Sequence, residues 1–386
     1  MNKNIEKYTT SSGATRYKFL IYVGKDEKTG RTIQIKKQGF TSEDKALESF
    51  YLYKHQVDNG KYTPTEQKRI RFKELYEMWL SRQYERIVEE STLATTTRIF
   101  KNHILPVLGN YYVNKITVPQ CQNIVEQWAI DAPKTFKRYI RYTNNVLTYG
   151  TSKQFLTYNP MLKVQRPKIK QDNKKFTDFY SKEELDEFLD ACKKSEPFEV
   201  FVFFNLLAYS GMRKGEALAL TWNDINFGNN TISIDKALTI GKNNKILIHN
   251  PKTKNSNREI DIDNQTINYL KQWQQEQRKE LFKLGINSLD DSKQIIFQNQ
   301  KNYYFKPTKT TDWMNRICKK NGLRHIKVHG FRHTHASLLF DAGFPMQEVK
   351  ERLGHANIAT TMDIYTHVVN NKNKGIGNKF RAYMES

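Results

Sequence analysis

The sequence predicts a multidomain chain: an N-terminal small three-stranded sheet plus a helix, a central all-α helical domain, and a C-terminal domain that is mainly α with a small antiparallel sheet. Three observations predict it. The apolar period is two near the N-terminus, changes to three and four from Phe72, and returns to two between Thr231 and Ile262 after the apolar run FEVFVFFNLLAYSGMRKGEALAL. Basic, Pro- or Asn-bearing stretches interrupt the pattern at Asn59 to Arg71 and at Asn159 to Lys175. With 386 residues, the chain has room for two or three cores. The expected domains are residues 1–62, 70–165 and 175–386.

In the first domain, Arg16, Lys18 and Leu20 alternate with Tyr17, Phe19 and Ile21, and Gln34 and Lys36 alternate with Ile33 and Ile35. A turn over Asp26 to Gly30 joins these strands, and Ile5 to Tyr8 supplies a third. Thr41 reads as an N-cap with Asp44 at the capping-box position, opening a helix that carries Leu47, Phe50, Tyr51 and Lys54. One sheet face is then apolar and covered by the helix. The other is basic and polar, either a solvated face or one that enters a DNA major groove through Arg16, Lys18, Gln34 and Lys36.

The second domain opens with Phe72, Leu75, Tyr76, Trp79 and Leu80 at helical spacing. It closes with a helix near Thr135 to Tyr149, apolar at Phe136, Ile140, Val146 and Leu147 and basic at Lys134, Lys137, Arg138 and Arg141. Four or five helices with a basic flank are expected. In the third domain Ser181 and Glu184 form a capping box, and the apolar run that follows is the buried spine. Arg213, just past Gly211, is an odd place for a charge unless it faces a site, and Glu216 one turn on is placed to orient it. Short strands follow in TISIDKAL, KILIHN and NREIDI, with Lys252 and Lys254 in the turn between the last two. Helices are expected around Ile267, Leu270 and Trp273, and near Trp313 to Cys318.

Composition narrows the partners. Lys and Arg outnumber Asp and Glu by 63 to 40, and the pI near 9.6 makes a polyanion the natural ligand. No stretch approaches the roughly 18 to 20 consecutive apolar residues of a spanning helix, and MNKNIEKYTT has no signal-peptide apolar segment. A membrane partner is therefore not expected. Three scattered cysteines, Cys121, Cys192 and Cys318, fit reduced thiols and a cytoplasmic setting, and they fail zinc-finger spacing. Gly24 to Gly30 has the wrong spacing for a nucleotide-binding P-loop.

Chemistry concentrates between His329 and His367. His329 and Arg332 are three apart at a helix start, Gly343 ends that helix, and Pro345 opens the next. Gly354 stops the second helix and puts His355 in a turn, and Tyr365 falls in a third helical stretch from Asn357. An Arg and donor His residues can hold a phosphodiester while a phenol attacks phosphorus. Unaided, a Tyr of pKa about 10 is ionised in only about one molecule in a thousand at neutral pH, so its neighbours must take the proton and meet the developing charge.

HGFRHTHA, ERLGHANIATT and MDIYTH resemble the C-terminal signature of the tyrosine recombinases, the family of lambda integrase and conjugative-transposon integrases. The pattern pairs His-x-x-Arg with Leu-Gly-His and a Tyr ten residues beyond the second His. The resemblance implies the tyrosine recombinase fold, with Tyr365 as nucleophile, Arg213 and Arg332 on the phosphate oxygens, and His329 and His355 as proton acceptor and donor. Gly-x-Arg-x-Gly-Glu from Gly211 to Glu216 matches the segment of the family's first catalytic Arg. Lys252 corresponds to a β-hairpin lysine that protonates the leaving 5′ hydroxyl, with Lys254 close enough to compete. The implied partners are double-stranded DNA at core and arm attachment sites, further copies in a homotetramer, and an excisionase or host DNA-bending protein. No cofactor or metal is implied.

Three other readings fit parts of the chain. A metal-dependent nuclease would use His329, His333 and His335, although the Glu of HExxH is missing. A DNA-binding regulator would keep the fold without the chemistry, against the presence of all six residues. A type IB topoisomerase would share the phenol, against the N-terminal sheet domain.

Overall fold

The structure, a computed structural model, describes residues 3–11, 13–25, 32–60, 70–169, 178–250, 257–286 and 293–354, together with 362, 381, 384 and 385. By internal contacts the chain divides into two units, Met1–Tyr76 with Val107–Arg166 and Glu77–Pro106 with Pro167–Ser386.

The first unit begins with an antiparallel meander of β1 (Ile5–Thr9), β2 (Thr15–Lys25) and β3 (Thr32–Phe40). Its register sets Ile5 opposite Phe19 and Ile21 opposite Ile35, so the apolar alternates share one face. Helix α1 (Glu43–Asp58) covers that face with Ala46 and Phe50, and Phe50 meets the Phe19 ring edge-on at 5.6 Å. The cap falls one residue later than expected: Ser42, not Thr41, accepts from the backbone N–H of Lys45. Of the residues the helix carries, Phe50 is buried and Tyr51 is 55% exposed.

Helix α2 (Phe72–Trp79) buries Phe72, Leu75, Tyr76 and Trp79, as the spacing predicts. A π-helical turn at Leu80–Tyr84, α3 (Glu90–Ile99), a second π-helical turn at Phe100–Ile104 and α4 (Leu105–Leu108) follow. Then come α5 (Val118–Asp131), opened by a Thr117–Gln120 capping box, and α6 (Phe136–Ser152). The buried stripe of α6, from Phe136 through Ile140 to Leu147, leaves Lys137, Arg138 and Arg141 outside. Residues 77–106 pack with the C-terminal unit: Lys242 Nζ lies 2.7 Å from Glu85 Oε1, and its backbone N–H donates to Glu90 Oε1 at 3.2 Å.

The second unit is built around α8 (Phe198–Ser210), in which every residue from Val200 to Leu207 is at most 5% exposed. Each such apolar side chain contributes about 1.5–3 kcal/mol. Helix α7 (Lys182–Ser195), capped by Ser181 and Glu184 as the sequence predicts, and α12 (Gly330–Asp341) pack on it. Phe188, Phe204 and Phe331 form a triangle with every ring centroid 5.2 Å from the other two. That contact locks α12 in rotation one residue before Arg332. The remaining elements are α9 (Lys214–Ala217), β4 (Ile225–Asn226), β5 (Thr231–Ile234), β6 (Ala237–Ile240), β7 (Ile246–His249), β8 (Arg258–Asp261), α10 (Asn264–Lys283), α11 (Pro307–Asn321) and α13 (Met346–Leu353).

One local expectation is corrected. The strands flanking the Lys252 turn do not pair with each other: β7 pairs with β6, whereas β8 pairs with β5 in the sheet ordered β4-β5-β8. Alternation alone identifies strands but not partners, because pairing is decided by which inward residues meet, here Ile232 with Ile260.

Candidate active site

Arg213 sits at the N-cap of α9, directly beyond the end of α8. Gly211 makes that exit possible. Its φ is +65°, and a Cβ there would lie 2.5 Å from the His335 ring and 2.8 Å from Leu353. The carboxylate of Glu216 then accepts twice from Arg213, from its backbone N–H at 2.8 Å and from Nη1 at 2.7 Å. Glu216 is 3% exposed at its side chain and the Arg213 side chain 38%, so a buried acid holds a half-exposed guanidinium. Burial alone would raise the carboxyl pKa of Glu216, but hydrogen bonds and charge from Arg258, then from Arg213, hold it below the ordinary value.

His329 and Arg332 occupy the start of α12. Arg332 is 1% exposed and spans two elements, donating from Nη1 to Gly211 O at 2.9 Å and from Nη2 to Leu353 O at 2.5 Å. Desolvation, and then the charge of Arg213, pull its guanidinium down to about 9, which leaves it protonated at neutral pH. His329 is exposed at the helix mouth, with its ring 4.9 Å from His333 in an edge-to-face arrangement. Burial of part of the ring at that mouth, then the charges of His333, Arg332 and Arg213, lower its pKa to about 4. The imidazole is therefore neutral at pH 7 and has a lone pair to accept a proton.

The structure thus brings three expected residues together: the charges of Arg332 and Arg213 both act on His329, and Arg332 donates to Gly211 O, two residues before Arg213. Lys252, His355 and Tyr365 lie outside the described residues, as does Lys254. Their approach is described, however. Helix α13 ends at Leu353, is capped by Gly354 with φ +66°, and its last carbonyl, Leu353 O, accepts from Arg332 two residues before His355.

His335 is unsuited to the metal reading. Nδ1 meets Ala208 O at 2.8 Å and Nε2 accepts from Arg352 Nε at 3.0 Å, so both ring nitrogens are engaged. Among the described residues no cluster of His, Cys, Asp and Glu has ligand geometry.

The site also contains a residue to which sequence reasoning assigned no role. Arg258, with a 7% exposed side chain, donates from Nη2 to Glu216 Oε2 at 2.9 Å and from Nε to Arg352 O at 3.0 Å. The signal was present in REID: Arg258 shares the inward strand face with Ile260, which is 3% exposed, and an inward charge needs a buried partner.

Two surfaces of the first unit are basic. On the meander, Leu20 pairs with Lys36, Tyr22 with Gln34 and Lys18 with Gln38, on the face opposite Phe19 and Ile21. Lys18 Nζ is 2.8 Å from Glu6 Oε1, while Arg16 Nη1 donates to its neighbour Thr15 O at 2.9 Å. In the helical part a cavity of about 650 Å³ is lined by Lys134, Lys137, Arg138, Arg141 and Arg166.

Residues 178–372, just over half of the chain, match the phage integrase family model, and residues 71–129 match that of the phage integrase N-terminal SAM-like domain. The chain belongs to the phage integrase family. It is a tyrosine recombinase, a DNA strand transferase of the class carried by mobile elements. The ICEBs1 integrase of Bacillus subtilis is 32% identical over 61% of the chain and 64% of its own length, so the alignment spans slightly under two thirds of that relative. A XerC-like tyrosine recombinase of Caldanaerobacter subterraneus is 27% identical over 93% of the chain and 94% of its own length. Among solved structures, the Tn1549 transposon integrase in complex with a circular intermediate DNA shares the fold with a TM-score of 0.65 at 18% identity, over 82% of this chain and 99% of that one. A lambda integrase tetramer bound to a Holliday junction does so with a TM-score of 0.56 at 14% identity, over 94% of each chain. Among the described residues no helix is long and apolar enough to cross a membrane.

Proposed function

We propose that the chain integrates and excises a phage or conjugative element by cutting and rejoining double-stranded DNA through a 3′-phosphotyrosine intermediate. The observation that supports this reading is that Arg332 donates to Gly211 O, two residues before Arg213, while the charges of both arginines act on a neutral His329 at the start of α12. Two fixed guanidiniums meet the charge that develops on the non-bridging oxygens, and removing one such donor typically costs about 10²–10³ in rate. Tyr365 attacks phosphorus, His329 accepts the phenolic proton, His355 donates to the phosphate, and Lys252 protonates the departing 5′ oxygen. The ester keeps the energy of the broken strand, so rejoining draws on no nucleotide.

The division of labour follows the three expected domains. Residues 175–386 carry the chemistry. Residues 70–165 grip the core site with the basic cavity wall around Arg138, and residues 1–62 hold arm sites with Arg16, Lys18, Gln34 and Lys36. A homotetramer on DNA is the working assembly, as for the lambda integrase tetramer on its Holliday junction. An excisionase or a host DNA-bending protein sets direction, and the setting is the bacterial cytoplasm.

The test is covalent trapping. A nicked duplex carrying the crossover sequence should yield a protein–DNA adduct in EDTA, and Tyr365→Phe should abolish the adduct with DNA affinity retained. An adduct that forms equally with Tyr365→Phe would overturn the assignment of the nucleophile. Loss of cleavage on adding EDTA would overturn the metal-free reaction.

A further inference from the structure

We infer that Arg258 is a positioning residue of the active site, aiming the Arg213 guanidinium through Glu216 and at the same time fixing the end of α13 that leads into His355. This inference rests on the recombinase reading above.

The geometry is specific. Arg258 is the first residue of β8, held in register by pairing of β5 with β8 that sets it opposite Ile234 and Ile260 opposite Ile232. From there its guanidinium faces inward. Nη2 and Nη1 reach the two oxygens of Glu216 at 2.9 and 3.4 Å, and Nε reaches Arg352 O at 3.0 Å. Glu216 is thereby shared between two arginines, one buried at 7% exposure and one at 38%. The exposed one, Arg213, is the one that can meet a ligand. The buried one fixes both carboxylate oxygens, so Arg213 has only one orientation in which to pair with the acid. Arg352 O and Leu353 O are consecutive carbonyls, one accepting from Arg258 and the other from Arg332. The stem of His355 is therefore pinned by two guanidiniums from different elements. In sequence, Arg258 follows Lys252 and Lys254 by six and four residues, and those two lysines lie outside the described residues.

A lysine cannot reproduce this. Its single ammonium can satisfy Glu216 or Arg352 O but not the planar fork that serves both. A misplacement of about 1 Å at a reacting group costs about 10²-fold in rate.

The experiment compares the full-length wild type, Arg258→Lys and Glu216→Gln in single-turnover cleavage of the nicked duplex at saturating DNA. Each protein is run on an ordinary scissile phosphate and on a methylphosphonate that has lost one charged non-bridging oxygen. Expected for both variants is a cleavage rate about 10²-fold below wild type on the phosphodiester, with DNA affinity within about twofold. The deficit should shrink to less than about tenfold on the methylphosphonate, where less charge has to be met. The ratio of the two substrates is taken within one preparation, so a smaller folded fraction cancels. Cleavage by Arg258→Lys within about threefold of wild type, or an equal deficit on both substrates, would overturn the positioning role. Failure of the wild type itself to form an adduct would instead overturn the recombinase chemistry on which it rests.

Discussion

The Arg332 guanidinium donates to Leu353 O at 2.5 Å and, through its other terminal nitrogen, to Gly211 O at 2.9 Å. A single buried cation thus joins the exit of α8, two residues before Arg213, to the end of α13, two residues before His355. Its charge supports the architecture and, in the proposed reaction, the phosphate.

Arg332→Gln should therefore fail in two ways. Hydrogen bonds to a charged group contribute about 1.5–3 kcal/mol each, and two carbonyls lose theirs, so the catalytic unit should be destabilised by about 3 kcal/mol or more. Urea unfolding followed by tryptophan fluorescence measures this, and an unchanged midpoint would contradict the bracing role. Adduct formation should fall below detection.

Acid should weaken the C-terminal unit through His335. Burial first, then the charge of Arg352, lower its pKa to about 4, against an ordinary value of about 6.5. Between those values the unfolded chain binds the proton and the folded one does not, so stability falls as pH drops from about 6.5 to 4 and is unaffected above pH 7. The full span corresponds to about 3 kcal/mol at 1.36 kcal/mol per pH unit. Melting temperature recorded from pH 8 to 4 should decline below pH 6.5, and His335→Asn should flatten the decline. A slope that is equally steep in the variant would assign the acid sensitivity elsewhere.

The three cysteines are buried and free. Burial pushes the Cys121 thiol up to about 11, and also raises Cys192 and Cys318. Thiolate is the reactive form, so alkylation of the native protein at pH 8 should be slow and should accelerate on adding denaturant. Mass spectrometry after a timed iodoacetamide pulse reads this directly. Rapid native labelling of Cys121 would show that the helical core opens on that timescale.

On the meander, Lys36→Ala should reduce affinity for arm-site duplex and lower the slope of log affinity against log salt by about 1, the loss of one phosphate contact. Adduct formation at the core site should be unchanged. Fluorescence anisotropy titrations at several salt concentrations provide the slope, and an unaltered slope would remove Lys36 from the DNA face.

Periodicity made most of the elements legible. The meander, the α2 stripe, the Ser181–Glu184 cap and the buried α8 follow from spacing, because side-chain direction is fixed by backbone geometry. The approach of Arg213 to the α12 pair was legible too, though only through the combined motif. Cap position at Ser42 was not, since Thr41 and Ser42 are equivalent caps until Phe50 chooses its place against Phe19. Nor was strand pairing around the Lys252 turn.

By itself the sequence determined which residue types were available for the chemistry and which helical or strand face each occupied, properties set within a few residues along the chain. Only the tertiary structure decided that Gly211 and Leu353 supply the carbonyls for Arg332, and that Arg258 on a distant strand shares Glu216 with Arg213. The reason is physical. A buried guanidinium must find several acceptors at fixed angles, and which carbonyls and carboxylates lie there depends on how the Phe188, Phe204 and Phe331 contact sets the helices against one another.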